Sequence, residues 1–348
     1  MVGHLPGGNL DEKILRAEEF SVPSVPPPPK RGVHWVFFGD DGIRAGWGVL
    51  LFVLLYVVFS FLLSMLFRAT LREARHMTVM PLRLAMILEF VQFLPSILAT
   101  AIMAFIERRR VLAYGFQGKA RAARFIYGLV WGFVALSVLL VVLWKARLLA
   151  FDGQMLHGGA ILKYALAWGV FFVIVAAFEE STLRGYLQYT LTRGIGFWWG
   201  ALLLSMLFGF SHGTNSGETP IGLFSAAGIG LIFCLSLWYT GSLWWALGFH
   251  AGWDWAESYF YGTSDSGLVT QGHLFGEHPT GARLWSGGAT GPEGSILVLA
   301  LIVIFALLMW LWWGRREQSP FSGSGWKPAW SRKQPLQVGG VGRFGVDA

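Results

Sequence analysis

Runs of apolar residues, each close to the length a helix needs to cross a bilayer, constrain this chain more than any other feature. They cover Trp47–Phe67, Leu84–Ile106, Phe125–Trp144, Tyr164–Leu191, Phe197–His212, Ile221–Tyr239, Ser242–Tyr259 and Ser295–Trp313. Composition agrees, since 14% of the residues are charged and 54% apolar, whereas a soluble domain carries about a quarter charged. In hydrocarbon, backbone polar groups must be satisfied within their own segment. The expected fold is therefore all-α, a polytopic membrane helix bundle of about eight transmembrane helices.

Lysine and arginine orient the bundle. They concentrate in the N-terminal segment, in the loop Arg108–Arg124 and beyond Arg315, all on one side if each run crosses once. The positive-inside rule puts that side, with both termini, in the cytoplasm. The net charge of +7 then reflects topology and attraction to anionic lipid, so the lipid bilayer is a partner. No basic soluble domain with interleaved aromatics is present, which argues against nucleic acid.

Three regions follow. Residues 1–45 read as a disordered, Pro-rich cytoplasmic tail and an interfacial segment, with Pro23–Lys30 as a polyproline linker. The first apolar run reads as an anchor rather than a cleavable leader. Residues 46–314 form the transmembrane domain, and 315–348 a basic, disordered tail. The Gly/Ser-rich loop Tyr261–Gly294 is long enough to lie over one mouth of the bundle. The single cysteine, Cys234, sits in an apolar run and reads as buried packing. Gly222, Ala226 and Gly230, at four-residue spacing, read as a small-residue packing face.

Against this background, ionisable residues inside the runs stand out. Each costs roughly 2.5–3.5 kcal/mol on insertion scales and marks a cavity or a function. The fourth run carries Glu179, Glu180 and Arg184; the fifth ends at Phe208 and His212; the seventh carries His250 and Asp254. Glu180 and Arg184 are an i,i+4 pair, which leaves Glu179, about 100° around the helix, for another partner. Phe208 with His212 and His250 with Asp254 share the same spacing. If Thr192–Gly196 is the turn, Glu179 and His212 both lie about 22–27 Å from it, at matching depth. The same ruler puts His250, close to the turn at Thr240–Gly241, nearer the cytoplasmic end.

One such residue is as readily structural as functional, but several on three runs point to one cavity. A glutamate beside a histidine in low dielectric suits a general base acting on water. His250, oriented by Asp254, suits oxyanion stabilisation. Ser181 and Ser211 adjoin the cluster as weaker nucleophile candidates. The cofactor is either none or a divalent metal such as zinc; if a metal is present, Glu179, His212 and His250 are its candidate ligands. The rival readings are a non-catalytic immunity or scaffold protein and a proton-coupled transporter.

The strings EESTLR (Glu179–Arg184), FGFSH (Phe208–His212) and HAGWD (His250–Asp254) resemble the EExxxR, FxxxH and HxxxN/D motifs of the CPBP family. These are the CAAX-protease and bacteriocin-processing intramembrane endopeptidases. The resemblance covers roughly 164–259, and the run Ser286–Ser295 is similar to the segment before the last helix in bacterial members. It implies a membrane-associated peptide or protein substrate and a multi-pass location in a cell membrane of the bacterial plasma-membrane type. By position it implies that Glu179 activates water with help from His212. His250 and Asp254 would stabilise the oxyanion, and Glu180, Arg184 and Phe208 would support the site. Asp254 stands where many members have Asn, and an ionised Asp cannot donate to an oxyanion.

Overall fold

In the computed structural model, residues 32–39, 42–74, 77, 79–215, 217–315 and 319–321 are described; the Pro-rich segment and most of the basic tail lie outside them. The short helix His34–Phe37 belongs to a separate unit that ends at Phe37, and the long helices and the site belong to the unit that begins at Phe38.

All the apolar runs fold as helices. They are α1 (Ala45–Leu66), α2 (Leu82–Ile106), α3 (Arg121–Lys145), α4 (Gly159–Glu180), α5 (Gln188–Ile195), α6 (Phe197–Ser211), α7 (Pro220–Thr240), α8 (Trp244–Asp254) and α9 (Ile296–Met309). Six helices among the described residues are long and apolar enough to cross a membrane, counting α4–α5 as one helix, Gly159–Ile195. The protein is thus a polytopic membrane helix bundle. The two remaining expected spans are shorter: α6 has 15 residues, and α8 has 11 with a seven-residue π-helical extension, Trp255–Tyr261. A 15-residue helix reaches only about 22 Å of the roughly 30 Å hydrocarbon core. The outer helix α1 turns Leu50, Leu54, Phe61 and Leu62 outward, as a lipid-facing helix must.

Two local features place the site. The first is a break in the long fourth helix. Between α4 and α5, residues Ser181–Leu187 widen into π-helix, and Gly185 leaves helical geometry (φ −82°, ψ −112°). Thr182 and Ser181 donate back to the Phe178 carbonyl at 2.6 and 3.2 Å, a bonding pattern that bends helices. The bend is held from outside: Tyr186 stacks on Phe52 with centroids 5.0 Å apart and donates to Glu107 at 3.0 Å. Glu107 also takes Arg193 at 3.0 Å and the Tyr114 hydroxyl at 3.2 Å.

The second feature is a glycine seam between α3 and α8. A Cβ on Gly128 or Gly132 would strike the Trp245 or Phe249 carbonyl of α8. One on Gly248 or Gly252 would strike the Phe125 or Leu129 carbonyl of α3. The two backbones therefore touch, as paired small-xxx-small motifs allow. His250 lies between the two α8 glycines.

The loop after Tyr261 contributes Asp265, Ser266, Leu268 and Thr270 to the lining of a cavity in the bundle. Its strand β2 (Phe275–Pro279) pairs antiparallel with β1 (Leu149–Gln154), with a shift in register between Phe151 and Gly153. Val269–Thr270 pairs in parallel with Val79–Met80. One expectation for the C-terminal tail changes. Ser319 donates to the Trp238 carbonyl at 2.6 Å, and Phe321 packs on Phe197 with centroids 4.7 Å apart. An aromatic side chain buried there ties this part of the 315–348 segment to the core.

Candidate active site

A cavity of about 740 Å³ runs into the bundle; Glu179, His212, His250, Asp254, Phe208 and Glu89 are among its lining residues. The sequence-derived residues therefore converge, and their order of contact is specific. Arg184 donates from Nη1 to Glu180 Oε1 at 3.1 Å, and both side chains are 0% exposed. The Arg184 guanidinium lies over Phe208, 4.6 Å from the ring centroid, and also faces Phe233 at 5.8 Å. A planar, weakly hydrated cation can be buried this way between aromatic faces.

Glu180 Oε1 also faces His250 Nδ1 at 3.2 Å. On the other ring nitrogen, His250 Nε2 lies 3.4 Å from Glu179 Oε2 and 3.5 Å from Asp254 Oδ2. Phe233 stacks on the imidazole at 5.5 Å. The ring is thus gripped on both edges and on one face. Glu179 keeps 24% of its side chain exposed, so it is the carboxylate of the pair that meets the cavity.

This arrangement settles the depth mismatch between His250 and the carboxylates. Between the turn and Glu179 the chain leaves helical geometry at Gly185. His250 and the two glutamates sit together. His212 also lines the cavity, but its Nδ1 is 2.8 Å from the Phe208 carbonyl and its ring packs edge-on to Phe208 at 4.7 Å. Its Nε2 is the nitrogen left for other partners.

Ser181 and Ser211 are poor nucleophiles, because their hydroxyls donate to the Phe178 and Phe208 carbonyls at 3.2 and 2.7 Å. Cys234 is a buried free thiol, 4.0 Å from Ser205 Oγ. Gly230 does more than pack helices, since a Cβ there would meet Arg184 Nη2. The gap in the side-chain row of α7 is the space the guanidinium occupies.

The ligand atoms of Glu179, His212 and His250 are not gathered within 4.8 Å of one another. Among the described residues, a single group of three His, Cys, Asp or Glu has its ligand atoms within 4.8 Å of one another, and it is Glu257, Asp265 and Glu293. Sequence reasoning missed these three and also Glu89. Glu89 is a buried carboxylate in α2 whose Oε1 has no hydrogen-bond partner among the described residues. The signal for it was in the sequence: one acid within the apolar run Leu84–Ile106.

A multi-pass membrane bundle with a carboxylate–imidazole cluster inside it is the class that fold and site define. Residues 161–256, which hold every candidate site residue, match the family model of the type II CAAX prenyl endopeptidase Rce1-like proteins. That agrees with the resemblance carried by the three motifs. No curated protein matches the chain, and no solved structure does.

Proposed function

We propose that this protein is an intramembrane endopeptidase of the CAAX-protease type that hydrolyses a peptide bond of a membrane-associated substrate with glutamate-activated water. The observation that carries the reading is the position of His250, between Glu179 on one ring nitrogen and the Arg184-paired Glu180 on the other.

In this mechanism Glu179 takes a proton from water, with His212 helping to hold that water in the cavity. The hydroxide oxygen attacks the carbonyl carbon of the scissile bond. His250 carries a proton on Nε2 and donates it as a hydrogen bond to the developing oxyanion. Glu180 accepts a hydrogen bond from the Nδ1–H and fixes the ring, in the way a carboxylate orients imidazole in other hydrolases. As the C–N bond breaks, Glu179 returns its proton to the leaving amine. Asp254 acts through His250, as an acceptor that helps orient the ring. The substrate class extends from CAAX-type tails to leader peptides, and the site works in the plane of a cell membrane of the bacterial plasma-membrane type. Residues 46–314 form the catalytic domain, with Ser319 and Phe321 of the following segment packed against it.

The test compares membranes from cells that produce wild-type protein and Glu179→Ala, reading new peptide termini by mass spectrometry. Termini that appear with wild type and vanish with the variant are expected, with equal amounts of folded protein in both. Unchanged termini would overturn the peptidase reading. Proton flux in liposomes would favour a transporter. A biological effect that survives Glu179→Gln would favour a scaffold.

A further inference from the structure

We propose that Glu257, Asp265 and Glu293 bind a hard divalent cation of the Ca²⁺ type, which ties the end of α8 to the loop over the cavity. A ligand oxygen of each residue lies within 4.8 Å of the other two. Oxygens on opposite sides of a cation with bonds of about 2.4 Å are separated by that distance. The set is all carboxylate, which selects a hard cation over zinc or copper.

A second observation, separate from the acidic cluster itself, concerns Glu257. It is fully buried, and its Oε1 has no hydrogen-bond partner among the described residues. A buried carboxylate oxygen with nothing to accept is costly, and a cation bound by Glu257 through that oxygen would supply the missing partner. The surroundings hold the remaining oxygens in place. Trp253 Nε1–H donates to both Glu257 Oε2 and Glu293 Oε1, each at 2.9 Å. Ser258 donates to Asp265 Oδ2 and Ser266 to Glu293 Oε2, both at 3.0 Å. All three donors are neutral, and no salt bridge to Lys or Arg reaches the cluster among the described residues.

Location gives the site a role. Glu257 is on the π-helical extension of α8, Asp265 on the turn after it, and Glu293 on the turn that precedes α9. Asp265 and Glu293 also line the cavity. Glu257 lies three residues beyond Asp254, so the cation would brace the helix that carries His250. It is assigned a structural role, and the assignment does not rest on the peptidase reading, because binding is measured without substrate.

The experiment uses full-length protein in detergent, stripped with EDTA and desalted, and titrated with CaCl₂ alone by calorimetry and by thermal unfolding. Expected are saturable uptake of one Ca²⁺ and an unfolding midpoint that rises with CaCl₂. Asp265→Asn and Glu293→Gln, which avoid the fully buried Glu257, should each weaken binding at least about tenfold. Asp152→Asn, on an exposed carboxylate paired with His278, should leave binding unchanged. No saturable uptake at millimolar CaCl₂, or equal affinity in all three variants, would overturn the site. Uptake of MgCl₂ with none of CaCl₂ would overturn the Ca²⁺ assignment.

Discussion

His250 Nδ1 lies 3.2 Å from Glu180 Oε1, so the glutamate nearer the surface of the cavity and the glutamate buried behind the ring have different work. The imidazole stands between them. Glu180 is also the partner of a fully buried arginine, which makes it a structural charge as well as a positioning one.

Glu179→Gln and Glu180→Gln should therefore part company. Glu179→Gln removes the proposed base, which faces the cavity, so cleavage is expected to fall by about 10²–10⁴ with little change in the unfolding midpoint. Glu180→Gln leaves Arg184 buried without its carboxylate. Removing one partner of a buried ion pair costs about 3–5 kcal/mol, so stability and cleavage should fall together. Thermal unfolding in detergent beside cleavage of a natural substrate separates the two. Equal stability losses would show that the assigned roles are wrong.

Gly230→Ala tests the guanidinium from the other side. The added methyl points at Arg184 Nη2 and close to Ser205, and both neighbours are buried. Overpacking a filled interior costs about 1–3 kcal/mol. The shift should reach Glu180 and then His250, lowering cleavage at temperatures where the protein remains folded. An unchanged midpoint and rate would mean that the guanidinium has another place to go.

Much of this was legible in the sequence, for a physical reason. Burying Glu179, Glu180, Arg184, His250 and Asp254 in apolar helices is expensive, so their presence announces a shared polar cavity. Helical spacing paired Glu180 with Arg184 correctly. Spacing could not reveal the break at Gly185, which depends on Tyr186 meeting Phe52 and Glu107 from distant parts of the chain. The helix ruler matched Glu179 with His212 in depth, and the side chain that meets Glu179 at 3.4 Å is His250. The carboxylates Glu257, Asp265 and Glu293 were invisible as a set, because loop geometry alone brings them together. The glycines of α3 and α8 were readable by the rule applied to Gly222, Ala226 and Gly230, but which pair of helices they join is a tertiary fact.

That seam yields a third expectation. Gly252→Leu places a branched side chain against the Leu129 backbone, and neither helix can yield without moving His250, two residues earlier. A loss of at least about 2 kcal/mol is expected, with cleavage lost as the unfolding midpoint drops. Gly46→Leu in α1, where a Cβ would meet nothing within 4 Å, serves as the control and should leave both unchanged. A tolerated Gly252→Leu would mean that α3 and α8 are not in backbone contact.

The loop over the cavity supplies the last. Glu277, on β2, has a carboxyl pushed up from 4.5 to about 7, chiefly by burial, with the adjacent His278 opposing the shift and Asp152 adding to it. Its Oε2 has no hydrogen-bond partner among the described residues. A folded-state value above the unfolded one means that the folded protein binds the proton more tightly. The stability this contributes is complete below about 4.5 and is lost as pH rises through about 7. Glu277→Gln removes the charge while keeping the shape, so the variant should match wild type at pH 4.5. At pH 8 it should exceed wild type by about 1–2 kcal/mol, the full shift being reduced by partial solvent screening. Unfolding midpoints of the two proteins across that range provide the measurement. Curves that stay parallel from pH 4.5 to pH 8 would show that Glu277 is ionised without penalty in the folded loop.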